Sequence, residues 1–251
     1  MTATARLIGV GVGPGDPELV TLRALRVLRE ADRVVAPTLS AGTAGRAESI
    51  VRRLEPDLRI ERVVFAMVGD DQPDRAASHE AAAAALDPWL DAGETVAFVT
   101  LGDPNIYSTF SALVDVLERS RPGLDVATVP GITAFQDLAS RSGTVLLDGD
   151  ESLSLVTAVA GPAAVASALA EPDRAVVVYK GGRHLPDIAR AAAGLGRQRG
   201  AVVGELLGLP GERMRALADA AGEPASYLAT IVFPPVGRPG TAASAPPGRP
   251  A

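Results

Sequence analysis

Five side chains capable of acid–base chemistry sit beside glycine- and proline-bearing loops: Asp16, Asp103, Tyr107, Lys180 and His184. They form neither a Ser–His–Asp order nor a paired-carboxylate motif. The chain has no cysteine, which removes disulfides, a thiol nucleophile and a Cys-ligated metal or cluster. His79 and His184 are its only histidines, so no multi-His metal site forms within one chain, and no metal is expected. His79 falls on an Ala-rich stretch and reads as a surface residue. His184, in G-G-R-H-L-P, reads either as a helix-start surface residue or as a ligand group. An inventory this sparse suits a reaction that depends on positioning. Group transfer from an activated cofactor to a bound nucleophile is one such reaction.

The loops are more distinctive than the side chains. Glu94–Ser108 reads E-T-V-A-F-V-T-L-G-D-P-N-I-Y-S. Thr95–Leu101 is a β-branched apolar run of the buried-strand type. Gly102-Asp103-Pro104 ends it, because Pro104 lacks an N–H and fixes φ. Ser108–Glu118 then has helical spacing, with Phe110, Leu113, Val114 and Leu117 on one face. The segment is either an ordinary βα turn or a ligand site at the carboxyl end of a sheet. Two further loops, Gly13–Pro17 and Pro130–Ala134, also follow apolar strands. A ligand touching several of them would be lined by backbone. The G-x-G at 11–13 is not a dinucleotide fingerprint: the spacing is G-x-G-P-G, and Pro14 removes an N–H that a pyrophosphate would use.

Strands and helices alternate along the whole chain. Strands are expected at 6–11, 33–36, 59–65, 95–101, 124–129, 153–157, 175–180, 201–205 and 227–233. Helices are expected at 18–31, 46–54, 78–90, 108–118, 135–142, 162–170 and 185–195. The alternation predicts an α/β fold. A break near Arg119–Gly123 suggests two α/β domains, 1–120 and 121–235. Gly69–Asp74 is polar and loop-like. Residues 236–251, rich in Gly, Pro, Ala and Ser, read as a disordered tail. The 251 residues are 47% hydrophobic, enough for full cores, but only 4% aromatic, so aliphatic side chains must build them. A net charge of −6 argues against nucleic-acid binding through a basic surface. No apolar run approaches the roughly 20 residues of a membrane helix, and Met1–Arg6 has no signal-peptide pattern. A cytoplasmic protein is expected.

Five pieces together carry a likeness to a known family. They are G-V-G-P-G-D-P at 11–17, L-G-D-P-N-I-Y-S at 101–108, V-P-G-I-T-A at 129–134, V-V-V-Y-K-G-G at 176–182 and Y-L-A-T-I-V at 227–232. In that order they resemble the tetrapyrrole (corrin/porphyrin) methylases, over residues 6–235. Within the family, G-P-G-D-P-E-L-V-T-L-R-A at 13–24, G-D-P-N-I-Y-S-T-F at 102–110, P-G-I-T-A-F at 130–135 and Y-K-G-G-R-H-L-P at 179–186 are most similar to the precorrin-2 C20-methyltransferases.

The resemblance implies two α/β domains with a cofactor cleft between them, usually in a homodimer, and S-adenosyl-L-methionine as cofactor. Pro14 would line the cleft. Leu101, Gly102, Asp103 and Ile106 would surround the amino-acid part of the cofactor, and Thr133 and Ala134 would also contact it. Lys180 would contact the adenosine, although many relatives carry Met there. Ala229 and Thr230 would supply backbone partners for the adenine. The reaction implied is methylation of C20 of precorrin-2 to precorrin-3A in cobalamin biosynthesis, by direct displacement at the sulfonium methyl. Asp16 and Tyr107 are candidate proton acceptors; Asp103 could assist as well but fits a polar contact to the cofactor better. Arg46, Arg183 and His184 are candidates for binding the substrate's carboxylates. The alternatives are a sibling enzyme acting on cobalt-precorrin-2 or another ring carbon, an RNA-ribose or diphthamide-pathway methylase, and a non-catalytic nucleotide-binding module.

Overall fold

The structure is a computed structural model that describes residues 5–65 and 72–237, without the side chains of 72–75. Most of the expected tail at 236–251 lies outside the described residues, as do residues 69–71 of the expected polar loop at 69–74, whereas 72–74 belong to a helix rather than to that loop. The chain divides into two compact units, Met1–Thr133 and Ala134–Ala251.

The first unit is a five-stranded, all-parallel sheet in the order β3-β2-β4-β1-β5. Its strands are β1 (Arg6–Gly11), β2 (Arg33–Thr38), β3 (Ile60–Val64), β4 (Thr95–Thr100) and β5 (Asp125–Val129). β1 lies between β4 and β5, with Gly11 opposite Thr100 and Val10 opposite Val129. The strand at 124–129, assigned from sequence to the second domain, is therefore the edge strand of the first sheet. The polar break at Arg119–Gly123 is only the turn between a helix and that strand. β2 runs through Pro37, where the sequence suggested a stop. Its pairing with β4 ends at Val35, so the absent N–H of Pro37 is not required there.

The helices are α1 (Leu22–Glu30), α2 (Arg46–Leu54), α3 (Gln72–Ala84), α4 (Asp87–Asp91) and α5 (Thr109–Ser120). The helix expected from Glu18 is split. Pro17–Leu19 is a single 3-10 turn, and α1 starts only after Thr21, whose hydroxyl accepts from Ala24 N at 3.1 Å. The run at 78–90 is likewise two helices, α3 and α4. The core on one sheet face joins Leu7, Val35, Val96 and Phe98 to Leu86 and Leu90 and to Phe110, Leu113 and Leu117 of α5. Phe65 meets Phe98 edge to face and Phe98 meets Phe110 at a tilt, with centroids 5.7 and 5.9 Å apart. His79 is half-buried against the Phe65 ring rather than a bare surface residue.

The second unit is a mixed sheet, β6-β7-β10-β8-β9. It comprises β6 (Ser152–Thr157), β7 (Arg174–Tyr179), β8 (Val202–Glu205), β9 (Arg213–Ala216) and β10 (Thr230–Phe233). β10 is antiparallel to both β7 and β8, and it begins three residues later than the apolar run at 227–233 suggested. One face packs on α7 (Ala163–Leu169), α8 (Leu185–Gly194) and the short α9 (Leu217–Ala220). The other face meets α6 (Ala134–Ser142) through Leu138, Val177, Leu207 and Val232. β9 and α9 had no counterpart in the sequence reading.

Candidate functional site

Because β4, β1 and β5 are adjacent and parallel, their three following loops emerge side by side at one sheet edge. This is the edge at which α/β folds bind ligands. The loops are packed backbone to backbone. Gly13 and Gly102 form an antiparallel bridge, with Gly102 N donating to Gly13 O at 2.8 Å. A Cβ on Gly131 would fall 2.1 Å from Gly102 O, and one on Gly11 would fall 2.6 Å from both Gly102 O and Gly131 N. No side chain fits between them. Gly102 itself has φ +71°, and a Cβ there would meet nothing within 4 Å, so its outward side is open.

Asp103 fixes this arrangement. One carboxylate oxygen accepts from Gly131 N at 3.0 Å, tying the β4 loop to the β5 loop. The other accepts from Asn105 N at 2.8 Å. Both oxygens of the residue expected to contact the cofactor are thus engaged by backbone N–H groups. Below it, Thr100 and Ser108 share a hydroxyl–hydroxyl hydrogen bond of 2.8 Å, and Ser108 caps α5 by accepting from Phe110 N at 3.0 Å. Asp16 caps the 3-10 turn by accepting from Glu18 N at 3.1 Å. Pro14 is buried, Leu101 and Ile106 are half-buried, and Thr133 is buried at the end of the β5 loop. Tyr107 is exposed and holds φ at +49°. Arg46 opens α2 on the same sheet edge, exposed and without an ion-pair partner among the described residues.

The second unit gathers the remaining candidates. Lys180 directly follows β7 with φ +57°. Tyr107, Lys180 and Leu206 are the non-glycine residues with positive φ among those described, and two of them fall in the motifs. Tyr179 pairs with Thr230 across β7 and β10, so Lys180, Ala229 and Thr230 meet at one end of this sheet. Gly182 lies hard against the segment leading into β10: a Cβ there would fall 2.0 Å from Ser226 O, and Ala225 N donates to Gly182 O at 2.9 Å. Arg183 is exposed and His184 half-buried in the same loop. Glu205 holds the other side of that segment. Its buried carboxylate accepts from Ser226 N at 2.8 Å and pairs with Arg213 and Arg215. Burial pushes the Glu205 carboxyl up, but the Ser226 N–H and the two guanidiniums more than offset this, leaving it below the usual carboxylate range. Sequence reasoning missed Gly11 and Gly131 as supports of the first unit's loop edge and Glu205 as a support of the second unit's sheet end. Only the run of glycines offered a hint.

The sequence profile of the Tetrapyrrole (Corrin/Porphyrin) Methylases matches residues 6–221. The chain is 36% identical over 237 residues to a precorrin-2 C(20)-methyltransferase of Sinorhizobium sp, covering 91% of this chain and 95% of that protein. It is 34% identical over 179 residues to the cobalt-precorrin-2 C(20)-methyltransferase of Salmonella typhimurium, covering 71% and 74%. Among solved structures, the uroporphyrin-III C-methyl transferase of Thermus thermophilus, complexed with S-adenyl homocysteine, superposes with a TM-score of 0.61 at 27% identity, covering 92% and 97%. A profile match across most of the length, joined to the parallel sheet with its three glycine-tight loops, establishes that the chain belongs to the tetrapyrrole (corrin/porphyrin) methylases.

Proposed function

We propose that this protein methylates C20 of precorrin-2, giving precorrin-3A, with S-adenosyl-L-methionine as methyl donor. The observation that carries the reading is the end-to-end match to the Sinorhizobium precorrin-2 C(20)-methyltransferase. The residues present suit such a donor. The loop edge offers open backbone at Gly102, and a buried hydroxyl, Thr230 Oγ1, lacks a hydrogen-bond partner among the described residues. Gly102, Asp103 and Ile106, with Leu101, Pro14, Thr133 and Ala134, would hold the amino-acid end. Lys180, Ala229 and Thr230 would hold the nucleoside.

Bound there, the donor supplies an electrophilic methyl on a sulfonium. The chain's own part is to orient C20 of the substrate in line with that methyl and to exclude water. Transfer of that methyl to C20 would cleave the donor's C–S bond as the C–C bond formed and would leave C20 with a proton to lose. Asp16 and Tyr107 remain the candidates to accept it. Arg46, Arg183 and His184 would pair with the carboxylates of the polyanionic substrate, since an acidic protein must gather its cations where that substrate binds. We also propose a cytoplasmic homodimer. Among the described residues no helix is long and apolar enough to cross a membrane.

The Salmonella relative supports a second reading, in which the substrate carries cobalt. The purified protein, S-adenosylmethionine and either precorrin-2 or cobalt-precorrin-2, followed by mass spectrometry, separate the two. The proposal expects one added methyl with faster turnover of the metal-free ring. Preference for the cobalt ring would favour the second reading, and methylation of neither would overturn both.

A further inference from the structure

Leu39 directly follows β2 on the ligand-binding edge of the first sheet and is 60% exposed. Val35 lies opposite Phe98, so the Thr38–Leu39 end of β2 and the Leu101–Gly102 end of β4 leave the sheet side by side. A single exposed leucine is ordinary on most surfaces, but this one has a particular setting. It opens the loop Leu39–Ala44 (L-S-A-G-T-A), in which every residue is exposed and no other side chain is large. That loop is closed on itself and held. The buried Thr38 hydroxyl donates to Thr43 O at 2.6 Å, with Ser40 O also within 2.9 Å. Thr43 N donates to Ser40 O at 3.1 Å. A Cβ on Gly45 would fall 2.2 Å from Pro37 O, so the two ends of the loop are in backbone contact. Arg62, paired with the buried carboxylate of Glu48, donates to Ala41 O at 3.3 Å. The result is a small Ω-type loop with Leu39 and Arg46 both at its base. Arg46 is exposed and has no ion-pair partner among the described residues. Ordering a loop costs conformational entropy, and here the loop adds no side chain to the core. A preformed loop that presents an apolar side chain beside a guanidinium matches a ligand with apolar faces and an anionic rim.

We propose that Leu39 is a specificity-determining residue for the tetrapyrrole: its side chain packs on a face of the macrocycle while Arg46 pairs with a carboxylate at the rim. This rests on the substrate reading above and adds an apolar contact to it. The contact selects for the ring itself, since ion pairs alone accept any polyanion.

Steady-state kinetics with precorrin-2, and titration calorimetry with S-adenosylhomocysteine, test this on wild type, Leu39→Ser and Leu39→Met. Ser removes the apolar surface, while Met keeps it at similar volume. The expected result is a KM for precorrin-2 raised about tenfold in Leu39→Ser and within about twofold of wild type in Leu39→Met, with kcat little changed in either. Affinity for S-adenosylhomocysteine should be the same in all three, since Leu39 serves the substrate and not the donor. Ligand-free Leu39→Ser should melt within about 2 °C of wild type, because the side chain it loses is already largely in water. An unchanged KM in Leu39→Ser would overturn the inference while leaving the substrate reading intact. An equal loss of S-adenosylhomocysteine affinity, or a larger fall in melting temperature, would also count against it, by assigning Leu39 to the donor site or to the fold. Failure of wild type to methylate either precorrin-2 or cobalt-precorrin-2 would overturn the reading on which the inference rests.

Discussion

At the scale of single residues, the loop edge of the first unit depends on the missing Cβ of Gly11 and Gly131. Gly131→Ala would place a methyl 2.1 Å from Gly102 O, backbone against backbone with nothing flexible to yield. Chemical denaturation should show a loss of at least about 3 kcal/mol, or failure to fold. Gly102→Ala meets open space and suffers only its φ of +71°, so about 1–2 kcal/mol is expected. Reversed magnitudes would refute this packing. Asp103→Asn exchanges one of two acceptor oxygens for a donor, so either Gly131 N or Asn105 N loses its partner. A loss of about 1–3 kcal/mol should accompany weaker binding of S-adenosylhomocysteine. The sequence displayed the glycines and Asp103 but not this division of labour. A contact between residues 103 and 131 belongs to strand order, which no local pattern encodes.

At the scale of elements, two buried carboxylates tie neighbouring elements together. Glu48 of α2 pairs with Arg52 and with Arg62 of β3, and Glu205 pairs with Arg213 and Arg215 and anchors Ser226. Burial raises the Glu48 carboxyl, and the Arg62 and Arg52 hydrogen bonds more than reverse this, so both carboxyls lie below the usual value of 4.5. The folded state then binds fewer protons than the unfolded chain in mild acid. The stabilisation is fully present above pH 4.5 and is lost as pH falls through the folded values. Urea midpoints should be level near neutrality and drop below about pH 4.5. Glu205→Gln should abolish part of that drop and cost about 2–3 kcal/mol at pH 7. A midpoint unchanged from pH 7 to pH 3 would contradict the assignment. Elements themselves were read well where apolar periodicity was strong, as in β1, β4, β7 and α5. They were misread where capping decided the boundary. Thr21 starts α1 after a 3-10 turn that Glu18 alone could not reveal, and the alternation Arg213-Met214-Arg215 of β9 is too short to stand out.

At the scale of the whole molecule, the α/β class followed from alternation, and the family from five short motifs in order. The division into two units did not follow so closely. Leu124–Val129 is as apolar as the strands on either side of it, and only its pairing with β1 assigns it to the first sheet. Nor did the mixed direction of the second sheet, since β10 reads the same in either orientation. What the fold does explain is why so few side chains were available for chemistry. On the proposed reading, glycine-tight loops and strand ends would present backbone to the cofactor, and the reaction would need alignment more than acid or base. The most direct test is incubation with precorrin-2 and S-adenosylmethionine carrying a carbon-13 methyl, followed by NMR of the product. The account predicts a single labelled methyl bonded to C20. A labelled methyl on any other ring carbon, or label that remains wholly in S-adenosylmethionine, would contradict it.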